Sequence, residues 1–492
     1  MATELATKTP TATLKNQGAV MPQPGRADSP SPPRAHLGSW AVAPNPPSLR
    51  ILAADWALRP DRLRYTWSMQ RLSLLSLLWL TTCTLAASGI PDPVLPQGIG
   101  VNIHFVTGHD KDLDLIAAAG FKFIRMDFSW QGTESEKGKY DWAGYDELTA
   151  NLSKRGIRPI YILDYSNPLY ESTVTNKNPI GGEMHVTTAS PQHPESIAAF
   201  ATWAAAAAKH FHGLPIIWEI WNEPNIFFWS PKPDVAQYTA LALATCKAIR
   251  EVEPEATIVG PASSEFPWEF LEHFLRSGIL TNLDAVSVHP YRNYGRGPET
   301  AREDYERLRK LIDTCVPESK RGKIPILSGE WGYASHNKGV SLEKQAAFAA
   351  RQQLANLLHG IPLSIWYDWK NDGPDPAEGE HNFGTVSGDL KPKPAYNSIQ
   401  TLTRELNGFR VTRRLEGTSE ADYVLLCTGP NGKEKLAVWT TGEAHSITFS
   451  VDVPGEAKLH AVASDAQMVE AKLEGGKVTL NAASAPVYLT LK

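Results

Sequence analysis

A (β/α)8 barrel followed by a small C-terminal all-β sandwich is the fold class this sequence predicts. Three observations lead to it. From Gly98 to about Gly408, apolar β-branched runs alternate with helical patterns. Two of the runs end in a Glu beside a Trp, at Trp218–Asn225 and at Ile324–Gly332. After Gly408 the helical periodicity stops, and short strands separated by turn residues take over.

The barrel units follow in order. Val101–Phe105 reads as a strand and Leu113–Ala119 as a helix that Gly120 ends. Phe121–Phe128 is the second strand, followed by a helix over Tyr145–Arg155 with Gly156 behind it. Pro159–Asp164 is strand three, and the Ala-rich Phe200–Ala208 the next helix. Strand four carries Trp218–Glu223. Pro224 cannot join a ladder, so the strand is expected to end near Asn222 or Glu223. A helix over Val235–Val252 leads to strand five, Thr257–Gly260, and a helix over Trp268–Leu275 to strand six, Ala285–Tyr291. Ala301–Asp313 is helical before strand seven, Ile324–Glu330, and Leu342–Leu358 before strand eight, Leu363–Tyr367. Ala395–Leu406 is the last helix. The barrel therefore spans residues 92–408 and the sandwich 409–492.

In the sandwich, Tyr423–Cys427 and Leu436–Trp439 flank a Gly-Pro-Asn-Gly turn. Ser446–Val451, Lys458–Val462 and Val487–Leu491 are further strands. Trp439 is the one aromatic that stands out as a sugar-stacking candidate. Its place inside an apolar alternation favours a core position and a stabilising domain over a carbohydrate-binding one.

Residues 1–68 are rich in Pro, Ala, Ser and Thr and carry no sustained apolar periodicity. Residues 69–88 have the layout of a secretory signal: Arg71, the apolar run Leu72–Leu80, then small residues to Ser88. Signals belong at an N-terminus, so Met69 is the expected start and residues 1–68 a mis-called one. The alternative is a genuine extension with a signal anchor. The apolar run is short for a membrane span, so no stable span is expected after cleavage, and the location is secreted or periplasmic.

Composition agrees with a secreted globular enzyme. Hydrophobic residues are 42%, enough for a large core, and the net charge of −5 gives no sign of nucleic-acid binding. The four cysteines, Cys83, Cys246, Cys315 and Cys427, have no metal-ligand spacing. Loss of Cys83 with the signal leaves an odd number, expected to be mostly free and buried. No phosphate loop or zinc cluster occurs, so no cofactor is expected. A monomer is expected.

Chemistry concentrates at the two Glu motifs. Each puts a carboxyl at the C-terminal end of a buried strand, the end at which barrel enzymes place their sites. The indoles around Glu223 form an apolar rim, which raises a carboxyl pKa and keeps a proton on it. Two such carboxyls facing each other across a sugar are the apparatus of glycoside hydrolysis.

The run Trp218–Glu219–Ile220–Trp221–Asn222–Glu223–Pro224–Asn225 resembles the acid/base signature of the clan A retaining glycoside hydrolases. It is closest to families 39 and 5 and their bacterial exopolysaccharide-hydrolase relatives. The resemblance covers roughly residues 98 to 408. It implies that Glu223, after Asn222 on strand four, is the acid/base and that Glu330, ending strand seven, is the nucleophile. It also matches Arg125 to the strand-two Arg beside the nucleophile, and Tyr291, after His289, to the strand-six residues bordering it. Read structurally, Arg125 is instead a buried ion pair with Glu219 or Asp127, and His289 a satisfied core histidine. Asn222 is expected to hold the sugar 2-hydroxyl, and Trp366 or Trp369 to floor the site. His104 and Asp164 sit at strand ends, either as substrate contacts or as structural groups.

The expected function is secreted, retaining hydrolysis of a β-linked polysaccharide or oligosaccharide. Alternatives are a transglycosylase using the same site and a non-catalytic carbohydrate-binding barrel.

Overall fold

Segments buried along their whole length, such as Ile217–Ile220 and Ile326–Trp331, hide both faces and suit a parallel sheet beneath helices. The computed structural model describes residues 89–177, 184–415, 419–451 and 459–491. The expected extension 1–68, the signal 69–88 and Cys83 lie outside the described residues. Eight strands close a parallel barrel: β1 Ile99–Asn102, β2 Phe123–Ser129, β3 Arg158–Asp164, β4 Ile217–Ile220, β5 Thr257–Ser264, β6 Ala285–His289, β7 Ile326–Trp331 and β8 Ser364–Trp366. Each pairs with its sequence neighbour in the barrel, and β8 returns to β1 through Gly100↔Ile365. The helices outside are α1 Asp110–Ala119, α2 Ala143–Lys154, α3 Pro194–His210, α4 Val235–Val252, α5 Trp268–Arg276, α6 Arg302–Thr314, α7 Leu342–Leu358 and α8 Pro394–Glu405. The expected barrel holds. Gly120 ends α1 as anticipated, with a φ of 90° that a side chain rarely adopts.

Strand alternation divides the barrel interior into two levels. Phe123, Ile160, Ile217, Val259, Ala285, Leu327, Leu363 and Ile365 pack together as an apolar plug. The inward positions nearer the C-terminal ends are polar: Asn102, Arg125, Asp164, Glu219, Ser287, His289 and Glu330, all buried. Glu330 owes its inward aim to a bulge. Ser328 pairs with Ser364 and Trp331 with Trp366, so Gly329 and Glu330 together oppose the single residue Ile365. Gly329 makes this possible, because a Cβ there would lie 2.3 Å from Ser287 Oγ.

Strand four ends earlier than expected. β4 stops at Ile220, and Trp221 and Glu223 then take left-handed φ values of 68° and 46°. A turn, not a ladder, delivers Glu223 to the site. A hairpin of Thr173–Lys177 and Met184–Thr188, absent from the sequence reading, leaves the barrel after β3.

Beyond the barrel, Arg410–Arg414, Asp422–Thr428, Glu434–Thr440, Val487–Leu491 and Leu459–Ala463 form a five-stranded sheet, in that order. His445–Ser450, Lys477–Ala482 and Ala471–Glu474 form a three-stranded one. Val424, Val438, Phe449, Leu480 and Leu489 pack between the two sheets. The other face of the larger sheet joins the barrel core through Leu425, Ala437, Trp439 and Tyr488. Trp439 is fully buried, stacks on Tyr423 and donates to Glu299 Oε1 at 2.9 Å. It is core, as its alternation implied. Among the described residues the cysteines are free: Cys246 and Cys427 buried, Cys315 partly exposed.

Candidate active site

Arg125 is the hub of the polar level. Its Nε donates to Glu219 Oε2 at 2.6 Å and its Nη1 to Glu330 Oε2 at 2.6 Å. Nη1 also reaches Asn102 Oδ1 at 3.3 Å, and Nη2 donates to Asn222 Oδ1 at 2.8 Å. The sequence left two roles open for Arg125, an ion pair with Glu219 or a place beside Glu330, and the structure gives it both. Only 1% of it is exposed, and the surrounding carboxylates outweigh burial to hold its charge firmly. Glu219 is held from its other side by Ser287 Oγ–H at 2.5 Å.

The two candidate catalytic carboxyls sit in different surroundings. Glu330 accepts from Arg125 on one oxygen and from Tyr291 Oη–H at 2.7 Å on the other. Two donors and a cation stabilise an ionised carboxylate. Glu223 has no such cation in contact. Burial pushes its pKa up to about 7, opposed by a hydrogen bond from Ser264 and by the more distant Arg125 charge. One oxygen of Glu223 lies within 4.8 Å of one oxygen of Glu330.

His289 connects them. Arginine only donates, so the contact of Arg125 Nη2 with His289 Nε2 at 3.3 Å makes Nε2 the acceptor. Burial lowers the His289 pKa to about 4, so the ring is neutral and its proton sits on Nδ1. Nδ1–H then donates to Glu223 Oε1 at 2.9 Å, leaving Oε2 to carry a transferable proton. His289 is thus fully satisfied and at the same time orients Glu223.

Backbone strain accompanies this geometry. Glu223 N–H donates to the carbonyl of Ala262, itself left-handed at φ 53°. Asn225 exchanges two hydrogen bonds with the Ser264 backbone, which ties the turn after β4 to β5. Left-handed non-glycine residues persist only where neighbours enforce them. Asn222 faces the site, with Oδ1 on Arg125 and Nδ2 on the Tyr165 phenolic oxygen at 3.0 Å.

Neither Trp366 nor Trp369 meets the expectation of a sugar platform. Ile365 points into the barrel plug, so alternation turns Trp366 outward, where it packs near Tyr333 and its Nε1–H faces the Phe383 carbonyl. Trp369 donates to Asp112 Oδ1 on α1 at 2.9 Å and packs against Tyr396. Between them, Tyr367 is the aromatic whose phenol feels the charges of Asp368, Glu380 and Glu330. It meets His104 edge-on at 5.7 Å. His104 itself pairs with Asp368 Oδ2 at 3.5 Å and is 35% exposed, at the edge of the site. Burial disfavours its charge, but Asp368 and Asp372 overcome this and raise its pKa to about 9. The network role of Glu219, the contact of Tyr165 and the place of Tyr367 were missed in the sequence. Inward alternation from Ile217 would have found Glu219.

Two groups of side chains could hold a metal ion among the described residues: Glu223–His289–Glu330 and His104–Asp368–Asp372. In the first, hydrogen bonds from His289, Tyr291 and Arg125 already occupy the carboxylates. In the second, a His–Asp pair is already formed.

Residues 91–373 match the family described as Cellulase (glycosyl hydrolase family 5). The chain belongs to this family. Among solved structures, this glycosyl hydrolase is similar to a family 39 glycoside hydrolase from the gut symbiont Bacteroides cellulosilyticus WH2. The two are 26% identical with a TM-score of 0.68, over 82% of each chain. A monomeric beta-xylosidase from Caulobacter crescentus CB15 shares the fold at 19% identity and TM-score 0.59, over 82% of this chain and 97% of that one. These likenesses put the family 5 hydrolase in clan A, close to family 39. It is also 25% identical to the beta-xylosidase of Caldicellulosiruptor saccharolyticus, over 41% of this chain and 43% of that protein. The match therefore spans less than half the length of that curated relative.

Proposed function

We propose that this glycoside hydrolase is secreted and cleaves a β-linked polysaccharide or oligosaccharide with retention of configuration, by double displacement. The supporting observation is the Glu223–Glu330 pair: oxygens within 4.8 Å, with one carboxyl pushed up to about 7 and the other held by Arg125 and Tyr291. Retaining enzymes keep the two carboxyls ~5–5.5 Å apart, whereas inverting ones leave room for a water at ~6.5–9.5 Å. Glu223 protonates the leaving oxygen while Glu330 attacks the anomeric carbon. Glu223, then ionised, takes a proton from the water that releases the sugar from Glu330. Asn222, fixed by Arg125, meets the 2-hydroxyl, a contact that strengthens as positive charge develops at the anomeric carbon.

The named relatives make β-xylosides the first substrates to try. The test is a panel of 4-nitrophenyl β-xyloside, β-glucoside, β-galactoside and β-mannoside, then β-linked polysaccharides with sized products. Proton NMR of the first-formed sugar should show the β-anomer. Glu223→Gln and Glu330→Gln should each lose most turnover while staying folded. Near-wild-type turnover in either variant, or an α-anomer as first product, would overturn the reading. Products longer than the substrate would point to glycosyl transfer.

A further inference from the structure

Asp164 ends β3 facing inward at the polar level and is 0% exposed. Neither of its carboxylate oxygens has a donor. Buried polar groups are almost always satisfied, and an orphaned carboxylate is among the costliest exceptions. The side chain in hydrogen-bonding position is itself a carboxyl, that of Asp127 on the neighbouring strand. The register pairs Ser129 with Asp164 and Asp127 with Ile162, so both carboxyls reach the same stretch of barrel wall. Two carboxyls in contact with no donor between them cannot both ionise, and one must carry the proton. Asp164 is the deeper of the two. Asp127 is half-buried, two residues beyond Arg125, and its charge is felt by His104 at the edge of the site.

We propose that Asp164 is a neutral carboxylic acid that donates its proton to Asp127, and that this bond positions Asp127 as a carboxylate recognising sugar hydroxyls on the β2–β3 wall. Asp127 is thus a specificity-determining residue, and Asp164 the positioning residue behind it. The assignment of Asp127 to substrate rests on the proposed glycosidase reading; the protonation of Asp164 does not.

The groups facing Asp164 favour this state. Asp127 and Glu219 add negative charge from β2 and β4, and Arg125 is the opposing cation. Tyr145 on α2 and the adjacent Tyr165 are phenols, neutral near pH 7. Burial and the Asp127 charge hold the Asp164 proton well above the ordinary carboxylate range. Tyr145 also fixes the Asp127 backbone, donating to its carbonyl at 2.7 Å. A carboxylate held in this way accepts hydroxyl protons in a fixed geometry. A site built on such a contact rejects an analogue lacking the hydroxyl strongly, because its buried acceptor is left unpaired. It also repels an acidic sugar.

The test combines spectroscopy with kinetics. Infrared difference spectra of the full chain, free of substrate and at mildly alkaline pH, should show a carboxylic-acid C=O band in the wild type that Asp164→Asn removes. An unchanged band would overturn the protonation of Asp164 whatever the protein hydrolyses. On the 4-nitrophenyl β-glycoside with the highest kcat/KM, Asp164→Ala should raise KM by roughly ten-fold or more, with a smaller loss in kcat. Asp164→Asn, whose amide supplies a neutral donor, should recover most of that loss. If Asp164→Asn were as impaired as Asp164→Ala, a neutral donor would not be what the site needs. Asp127→Ala should lose discrimination between the glycoside and its deoxy analogues; retained discrimination would remove Asp127 from recognition.

Discussion

Replacing Glu223 by Gln should stabilise the protein, and by an amount that depends on pH. Burial raises the Glu223 pKa from 4.5 to about 7, and the side chain is 8% exposed. The difference corresponds to about 3 kcal/mol of preference for the protonated form, at ~1.4 kcal/mol per pKa unit. In the unfolded chain the group titrates near 4.5. Between those values the folded state binds more protons than the unfolded one, so the contribution of Glu223 falls as pH rises through the window. Below the window both states are protonated and it costs nothing. Above it, ionising a buried carboxyl costs the full amount. Gln has nearly the same shape, cannot ionise and still accepts from His289 Nδ1–H. Glu223→Gln should therefore match the wild type within about 0.5 kcal/mol near pH 4 and exceed it by about 3 kcal/mol near pH 8.5. Other titrating groups, His289 and Asp368 among them, are common to both proteins and largely cancel in the difference. Urea unfolding at the two pH values gives the comparison, with the slopes checked for equality. An equal difference at both pH values would refute the buried, protonated Glu223 on which the acid role rests.

Other outcomes follow from the same contacts. Arg125→Met leaves Glu219 and Glu330 as buried carboxylates without their shared cation, and should cost roughly 3–5 kcal/mol in the same unfolding assay near neutral pH. Gly329→Ala puts a Cβ 2.3 Å from Ser287 Oγ and 3.1 Å from Glu219 Oε1. It should cost about 1–3 kcal/mol, with lower activity as Glu330 shifts; an unchanged Tm and kcat would argue against the bulge as the device that aims Glu330. Cleavage before Gly89 or nearby should give the mature N-terminus, and N-terminal sequencing of secreted protein that began at Met1 would exclude it.

The barrel was legible because its strands and helices carry different periods, and because Gly120 punctuates where a left-handed residue is needed. The candidate pair was legible because Asn222–Glu223–Pro224 is a poor core strand and Glu330 ends a second apolar run beside Trp331. What stayed hidden depends on the third dimension. Trp366 or Trp369 was expected to floor the site, but β8 keeps its register with β1 and points Ile365 into the plug, so alternation turns Trp366 away. Arg410–Arg414 is too charged to read as a strand, and it forms because it pairs with Asp422–Thr428. The hairpin at Gly475 and Gly476, both at positive φ, carried a readable Gly-Gly turn signal that was overlooked between two weakly apolar strands. Arg125 had competing sequence assignments that turned out to be one network, because one guanidinium presents donors in several directions.

The central claim is that Glu330 forms the covalent bond and Glu223 handles the proton. A 2-fluoro glycoside with a good leaving group slows breakdown of the glycosyl-enzyme enough to trap it. Peptide mass mapping should then find the sugar on Glu330. With Glu223→Ala, an activated aryl glycoside should still load Glu330, since its leaving group needs little protonation, and added azide should yield a β-glycosyl azide. A label on Glu223, or an α-glycosyl azide, would contradict the account.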